Sequence, residues 1–244
     1  MRYLIISDLH ANQAALAAVL ADAGSFDFVW CLGDVVGYGP DPNECINQLR
    51  ELPLFSLAGN HDWAALGKLD ITSFNSDARL SSVWTQSELS ASSRDYLESL
   101  PTHIVKDEFT LAHASPRQPV WEYVLDPLIA QRNFAYFDTP YCLVGHTHVP
   151  VIFYQEDKDA NNCKTLLPPY EGPVYLEVDG RFIINPGSVG QPRDGNPEAS
   201  YGILNTDLMT WEQRRVPYSF EITQERMRAR DLPPRLIERL SYGR

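Results

Sequence analysis

Residues 3–10 read Tyr3-Leu4-Ile5-Ile6-Ser7-Asp8-Leu9-His10. The leading apolar run is too short for a helix and lacks polar alternation, the pattern of a strand covered on both faces. It stops abruptly at a polar group. The same grammar returns downstream: an apolar run over 26–32 ends in Gly33-Asp34, one over 54–58 in Gly59-Asn60-His61-Asp62, one over 109–113 in His113, and one over 141–144 in Gly145-His146-Thr147-His148. Polar clusters at the carboxyl ends of strands mark the edge where open α/β sheets bind ligands.

Between these runs the chain predicts helices over 13–23, with Asn12 as N-cap, and over 43–51. From 63 to 101 the strand-helix rhythm gives way to a helical insertion. A hairpin is expected over 103–106 and 109–113, and a helix over 126–137 with Pro127 in its first turn. The second half reads as antiparallel strands: 151–154, 174–178 paired with 181–184 through a turn at Asp179-Gly180, then 203–205 and 211–216. Residues 155–173 read as an exposed loop and 221–240 as one or two surface helices. The fold class is α/β: two mixed β-sheets packed as a sandwich, flanked by helices, with the 63–101 insertion over one edge. At 244 residues the chain fits a single domain spanning 1–244 better than two.

Composition excludes several classes. With 44% hydrophobic and 21% charged residues the chain is neither disordered nor a disulfide miniprotein. A net charge of −12 repels long nucleic acids. The four cysteines are far apart, without a C-x-x-C pair, and read as buried reduced thiols of a cytoplasmic protein. The apolar start is too short for a signal peptide or a membrane span, so neither secretion nor anchoring is expected.

Histidine is not scattered. Of the six, only His103 lies outside the strand-end clusters. Apart from His61, these clusters gather Asp8, His10, Asp34, Asn60, His113, His146 and His148, an oxygen and nitrogen donor set without thiolate. That set suits Mn²⁺, Fe²⁺, Zn²⁺, Co²⁺ or Ni²⁺ rather than a calcium cage or a cysteine-rich zinc site. It has too many donors for one tetrahedral ion, whereas two ions sharing a carboxylate would use them all. Strand alternation would aim Asp8 with His10, and His146 with His148, into one cavity.

The ordered motifs resemble those of the calcineurin-like metallophosphoesterases, specifically the bacterial and archaeal branch of small phosphodiesterase-like proteins. The likeness runs from Asp8 to His148, and the turn-rich segment 185–195 also looks like that branch. It implies two divalent ions, manganese foremost. Asp8, His10, Asp34 and His148 would hold one, and Asp34 would bridge to a second held also by Asn60, His113 and His146. It further implies in-line attack on phosphorus by a bridging hydroxide, with His61 protonating or hydrogen-bonding the leaving oxygen and Asp62 orienting His61. Roughly +4 from the ions against about −2 from Asp8 and Asp34 leaves a positive hole in an acidic protein, which favours small phosphorylated substrates, nucleotides among them.

Related protein phosphatases follow Gly-Asp by an acidic residue and a phosphate-gripping arginine, but Gly37 and Tyr38 stand at those positions here. A protein-phosphatase reading is thereby weakened. Arg193 is the candidate replacement, Asn12 and Tyr38 are further candidate substrate contacts, and Trp63 with the insertion is expected to cap the site. The competing class, a non-catalytic interaction scaffold on this fold, is disfavoured because every ligand position and His61 are filled.

Overall fold

The structure, a computed structural model, describes residues 1–156, 162–176 and 180–244. Its core is set by strands whose alternate residues face two different layers. In β1 (Arg2–Ile6), Tyr3 and Ile5 turn inward while Leu4 and Ile6 turn outward. β6 (Tyr141–Leu143) and the residue after it do the same, with Tyr141 and Leu143 inward and Cys142 and Val144 outward. Both faces are apolar, so both must be covered, and the chain forms helix, sheet, sheet and helix layers.

The first sheet joins β1 to β2 (Phe28–Cys31) and β3 (Leu54–Ser56) in parallel. Antiparallel β11 (Ala199–Asn205) and β12 (Thr210–Val216) extend its other side, ending in β9 (Val174–Tyr175), which gives the order β3-β2-β1-β11-β12-β9. The second sheet contains β4 (His103–Lys106), β5 (Phe109–Ala112), β7 (Val151–Gln155), β8 (Lys164–Leu166) and β10 (Arg181–Asn185), in the order β4-β5-β6-β10-β7-β8. There β5, β6 and β10 run parallel. Between the sheets Trp30, Leu32 and Leu57 meet Phe109, Leu111, Ile152 and Ile184.

Outside the first sheet lie α1 (Gln13–Asp22), capped by the Asn12 side chain accepting from Ala15 N, α2 (Pro42–Arg50) and α5 (Ala91–Ser99). Outside the second lies α6 (Pro127–Asn133). The helical insertion begins earlier than expected, with α3 (Asn60–Ala65), and continues through a 3₁₀ turn at Ile71–Ser73 to α4 (Ser76–Glu88). The C-terminal helices α7 (Phe220–Arg228) and α8 (Pro234–Glu238) contribute Met227, Leu236 and Ile237 to a cluster with Tyr38 and Ala78.

Three sequence readings are corrected. The segments expected to form a hairpin through Asp179-Gly180 lie in different sheets: β9 pairs with β12, and β10 with β6 and β7. Val178 and Asp179 lie outside the described residues. A local turn signal cannot overrule the long-range partners that a two-sheet core offers each strand. The stretch 155–173, read as a loop, contains β8, paired antiparallel to β7. The helix expected over 126–137 ends at Asn133 and passes into a 3₁₀ turn, Phe134–Tyr136.

Candidate active site

The carboxyl ends of β1, β2 and β3 from one sheet and of β5 and β6 from the other meet at one edge, and backbone bonds stitch the ends together. Asp8 N donates to Gly33 O at 3.0 Å, His10 N to Asp34 O at 3.0 Å, and Gly145 N to His113 O at 2.7 Å. His146 N donates to Asp8 Oδ2 at 3.0 Å, linking the sheets through a side chain. Asn185 fixes the 145–148 turn by donating to Gly145 O at 2.7 Å and Thr147 Oγ1 at 3.0 Å.

The expected strand alternation does not place the donors. β1 ends at Ile6 and β6 at Leu143, so Asp8, His10, His146 and His148 all lie beyond regular strand. They take left-handed backbone instead, with φ of 53°, 47°, 64° and 61°, as does Asp34 at 52°. Asp and His enter this region more readily than most residues, at a cost of the order of 1 kcal/mol each. Such concentrated strain is a mark of functional sites. The consequence is that His146 and His148 separate into different clusters.

Two buried clusters result. Asp8, His10 and His148 form one, and Asp34, His113 and His146 the other, with the ligand-type atoms of each within 4.8 Å of one another. In the first, His10 Nε2 lies 3.1 Å from His148 Nε2, and His148 Nε2 lies 3.4 Å from Asp8 Oδ1. In the second, His113 Nε2 lies 3.3 Å from Asp34 Oδ2 and 3.2 Å from Asn60 Oδ1. Asp34 Oδ2 is also 3.8 Å from His10 Nε2, so one oxygen stands between both clusters.

The surroundings decide which nitrogens face inward. His10 Nδ1 contacts Val36 O at 3.2 Å, His113 Nδ1 contacts Leu32 O at 2.9 Å, and His148 Nδ1 contacts Gln191 O at 2.5 Å. A carbonyl only accepts, so each Nδ1 carries a proton and Nε2 is the nitrogen aimed at the cluster, free to ligate once it is unprotonated, as metal-binding imidazoles require. Asp34 Oδ2 and His146 Nε2 are buried without a hydrogen-bond partner. Buried polar atoms left unpaired are costly, and a cation satisfies them together. The donor set therefore fits divalent metal.

The electrostatics agree. Burial pushes the His146 imidazole down to about 3 and holds those of His10 and His148 well below their usual range, so these ligands are neutral at pH 7. Burial pushes the Asp8 carboxyl up to about 7. Burial would also raise Asp34, but the imidazoles of His113 and His61 hold it well below the carboxylate range. His113 moves the other way, up to about 9, because the Asp34 carboxylate outweighs its desolvation.

A model for calcineurin-like phosphoesterase superfamily domains matches residues 1–209. The chain belongs to this family. Over 98% of its length this metallophosphoesterase is 38% identical to an uncharacterized protein of Methanocaldococcus jannaschii, covering 97% of that protein. A metallophosphoesterase from Sphaerobacter thermophilus shares 48% identity and the whole fold, with a TM-score of 0.90 covering 100% of this chain and 99% of the other. A hypothetical protein from Pyrococcus horikoshii shares the fold at 18% identity, with a TM-score of 0.80 covering 100% and 98%. The protein is thus a metal-dependent phosphoester hydrolase with two candidate metal clusters. Among the described residues no helix is long and apolar enough to cross a membrane. All four cysteines are free; Cys163 is only half-buried, where burial was expected throughout.

The remaining predicted residues of this metallophosphoesterase divide. His61 stands over the clusters, its ring 5.1 Å from that of His10 and 4.3 Å from that of Tyr38. Its Nδ1 is buried and unpartnered, and burial pushes its pKa down to about 4. Gly37 permits this approach: its φ is +89°, and a Cβ there would lie 2.8 Å from His61 Nδ1. Arg193 returns to the site with its guanidinium 5.8 Å above the Tyr38 ring, steadied by Gln191 Oε1 at 3.0 Å, and its Nε is buried without a partner. Asp194, beside Arg193 in sequence, pairs with Arg215.

Asp62, expected to orient His61, makes no hydrogen bond to it. It is buried, and its oxygens accept from Gly59 N at 2.9 Å and Val36 N at 3.0 Å, tying the start of α3 to the β2 loop. Asn12 is likewise committed to the fold: its amide donates to Gly190 O and Tyr218 Oη, and its oxygen accepts from Ala15 N and Thr223 Oγ1. No hydrogen-bonding position remains for a substrate. Within the insertion it is Phe74, not Trp63, whose ring lies against His61, at 5.0 Å. Sequence reasoning also missed Tyr123, whose ring lies 4.0 Å from that of His146. Tyr123 sits in an irregular segment, with neither periodicity nor motif to single it out.

Proposed function

We propose that this protein hydrolyses small phosphodiesters or phosphomonoesters at a pair of divalent cations, one held by Asp8, His10, Asp34 and His148 and the other by Asp34, Asn60, His113 and His146. The reading rests on one observation above all: Asp34 Oδ2, buried and without a hydrogen bond, lies 3.8 Å from His10 Nε2 and 3.3 Å from His113 Nε2. A carboxylate oxygen between the Nε2 atoms of two histidine clusters is the geometry of a bridging ligand. The absence of thiolate favours manganese, iron, zinc, cobalt or nickel. Bound there, the cations supply Lewis-acid stabilisation of the phosphoryl charge and make water a nucleophile near neutral pH.

The chain's own residues supply the rest. Arg193 binds a phosphoryl oxygen, replacing the arginine that protein phosphatases carry after Gly-Asp. Its unpaired Nε is available, and charge-assisted bonds to phosphate are the stronger kind. Tyr38 lines the same wall. His61 is neutral at pH 7 in the free protein, and an arriving phosphate anion raises its affinity for a proton. His61 then hydrogen-bonds or protonates the leaving oxygen, without a covalent intermediate on the protein. The burial of this site, with His61 only 5% exposed, favours a small ester over a phosphorylated protein loop.

A panel of phosphomonoesters, diesters and nucleotides assayed with Mn²⁺ tests this. Hydrolysis that disappears on chelation is expected. A protein that binds Mn²⁺ yet cleaves nothing in the panel would instead be a scaffold.

A further inference from the structure

Aromatic side chains outside the donor set extend from the site to its mouth. Phe74 lies against His61 at 5.0 Å, and Trp121 meets Phe74 edge-on, 6.1 Å between centroids at 85°. Tyr123 lies against His146 at 4.0 Å. Trp121 is 40% exposed and Tyr123 44%. A single exposed ring is ordinary, but two on one segment beside a reaction site form a patch.

That segment is braced. Glu122, between the two rings, turns inward and accepts from Ser115 Oγ at 2.8 Å, Asn133 Nδ2 at 2.8 Å and Arg117 Nε at 3.2 Å, with a second Arg117 nitrogen also on its carboxylate. Ala114 N donates to Pro119 O at 2.7 Å across the base of the loop. A satisfied, part-buried network of this kind holds a backbone in one conformation. The two rings are therefore displayed at fixed positions.

We infer that Phe74, Trp121 and Tyr123 form a subsite for a planar aromatic group carried by the phosphoester. The inference rests on the function proposed above, which places phosphorus over the two clusters and His61 at the leaving oxygen. Phe74 stands on His61, so the departing substituent leaves along Phe74 toward Trp121. A flat π-surface is what such rings hold best: stacking of a base on an aromatic side chain is worth about 1–3 kcal/mol. A nucleobase and a simple aryl ring share this chemistry. An aliphatic substituent gains much less from it.

Calorimetry on the Mn²⁺-loaded protein with AMP and phenyl phosphate, each in the phosphonate form that cannot be hydrolysed, and with inorganic phosphate tests the subsite without turnover. In Trp121→Ala the affinity of AMP or of phenyl phosphate relative to phosphate should fall about 5- to 100-fold, and Trp121→Tyr should recover most of the loss. Which ligand responds tells nucleobase from aryl ring. The matching kinetic ratio is kcat/KM for a nucleoside ester over a methyl ester, which should fall likewise. If Trp121→Ala leaves both affinity ratios unchanged, the subsite is wrong. If the wild-type protein hydrolyses no ester while the affinity ratios still shift, the hydrolase reading fails and the aromatic subsite stands.

Discussion

At the scale of single residues, the site depends on backbone conformations that the sequence does not announce. Asp8, His10, Asp34, His146 and His148 were legible as candidate ligands because Asp and His stand together after apolar runs. The family resemblance implied His148 at one ion and His146 at the other, but strand periodicity alone did not show how they converge. Period-two alternation pairs His146 with His148, whereas left-handed backbone at both sends one to each cluster. Asn12 caps α1 as the sequence indicated, but its amide and the Asp62 carboxylate are also bonded to backbone groups distant in sequence, Gly190 and Val36, which no local pattern shows. Two outcomes belong here. His61→Ala should lower kcat about 10²- to 10⁴-fold while Mn²⁺ content by elemental analysis stays at the wild-type value; wild-type turnover would remove His61 from its role. His113, raised to about 9 by Asp34, holds a proton at pH 7 that a cation must displace. Cation affinity measured by titration should therefore rise with pH, by up to about tenfold per unit for this proton, and level off near 9.

At the scale of elements, strand ends do the positioning and loops do the selecting. The runs that became β1, β2, β5 and β6 were readable because a strand covered on both faces has a continuous apolar signature, and β3, an edge strand with Phe55 exposed, was readable by its apolar run. β9 and β10 were misjoined because Asp179-Gly180 looks like a hairpin turn, and the pairing of β9 with β12 arises from chain more than thirty residues away. The loop between β5 and α6 left no pattern at all; it is organised by Glu122, whose partners Ser115, Arg117 and Asn133 are spread over the segment. Glu122→Ala strips this network of its acceptor. Loss of such partly buried, charge-assisted bonds should lower stability by about 1–3 kcal/mol, seen as a lower midpoint in denaturant, while cation stoichiometry is retained. An unchanged midpoint would mean the loop is held by other contacts.

At the scale of the molecule, the two sheets are a frame that brings residues from 8 to 148 to a single edge within a chain of net charge −12. Buried carboxylates and facing imidazoles are held together there by the surrounding core, and cations that bind only the folded form stabilise it by mass action. At a free Mn²⁺ concentration 100 times its dissociation constant the gain is about 2.7 kcal/mol per ion, which for a domain of this size raises Tm by roughly 5–10 °C. Chelation should reverse that shift, and Asp34→Asn should reduce it by removing the oxygen both clusters share. A Tm indifferent to Mn²⁺ would mean the donors are satisfied without metal.

The most direct measurement is anomalous diffraction from crystals grown with Mn²⁺. Two peaks about 3.5–4 Å apart are predicted, one beside His10 and His148 and one beside His113 and His146, with Asp34 between them. A single peak, or peaks elsewhere on the molecule, would contradict the shared-carboxylate centre.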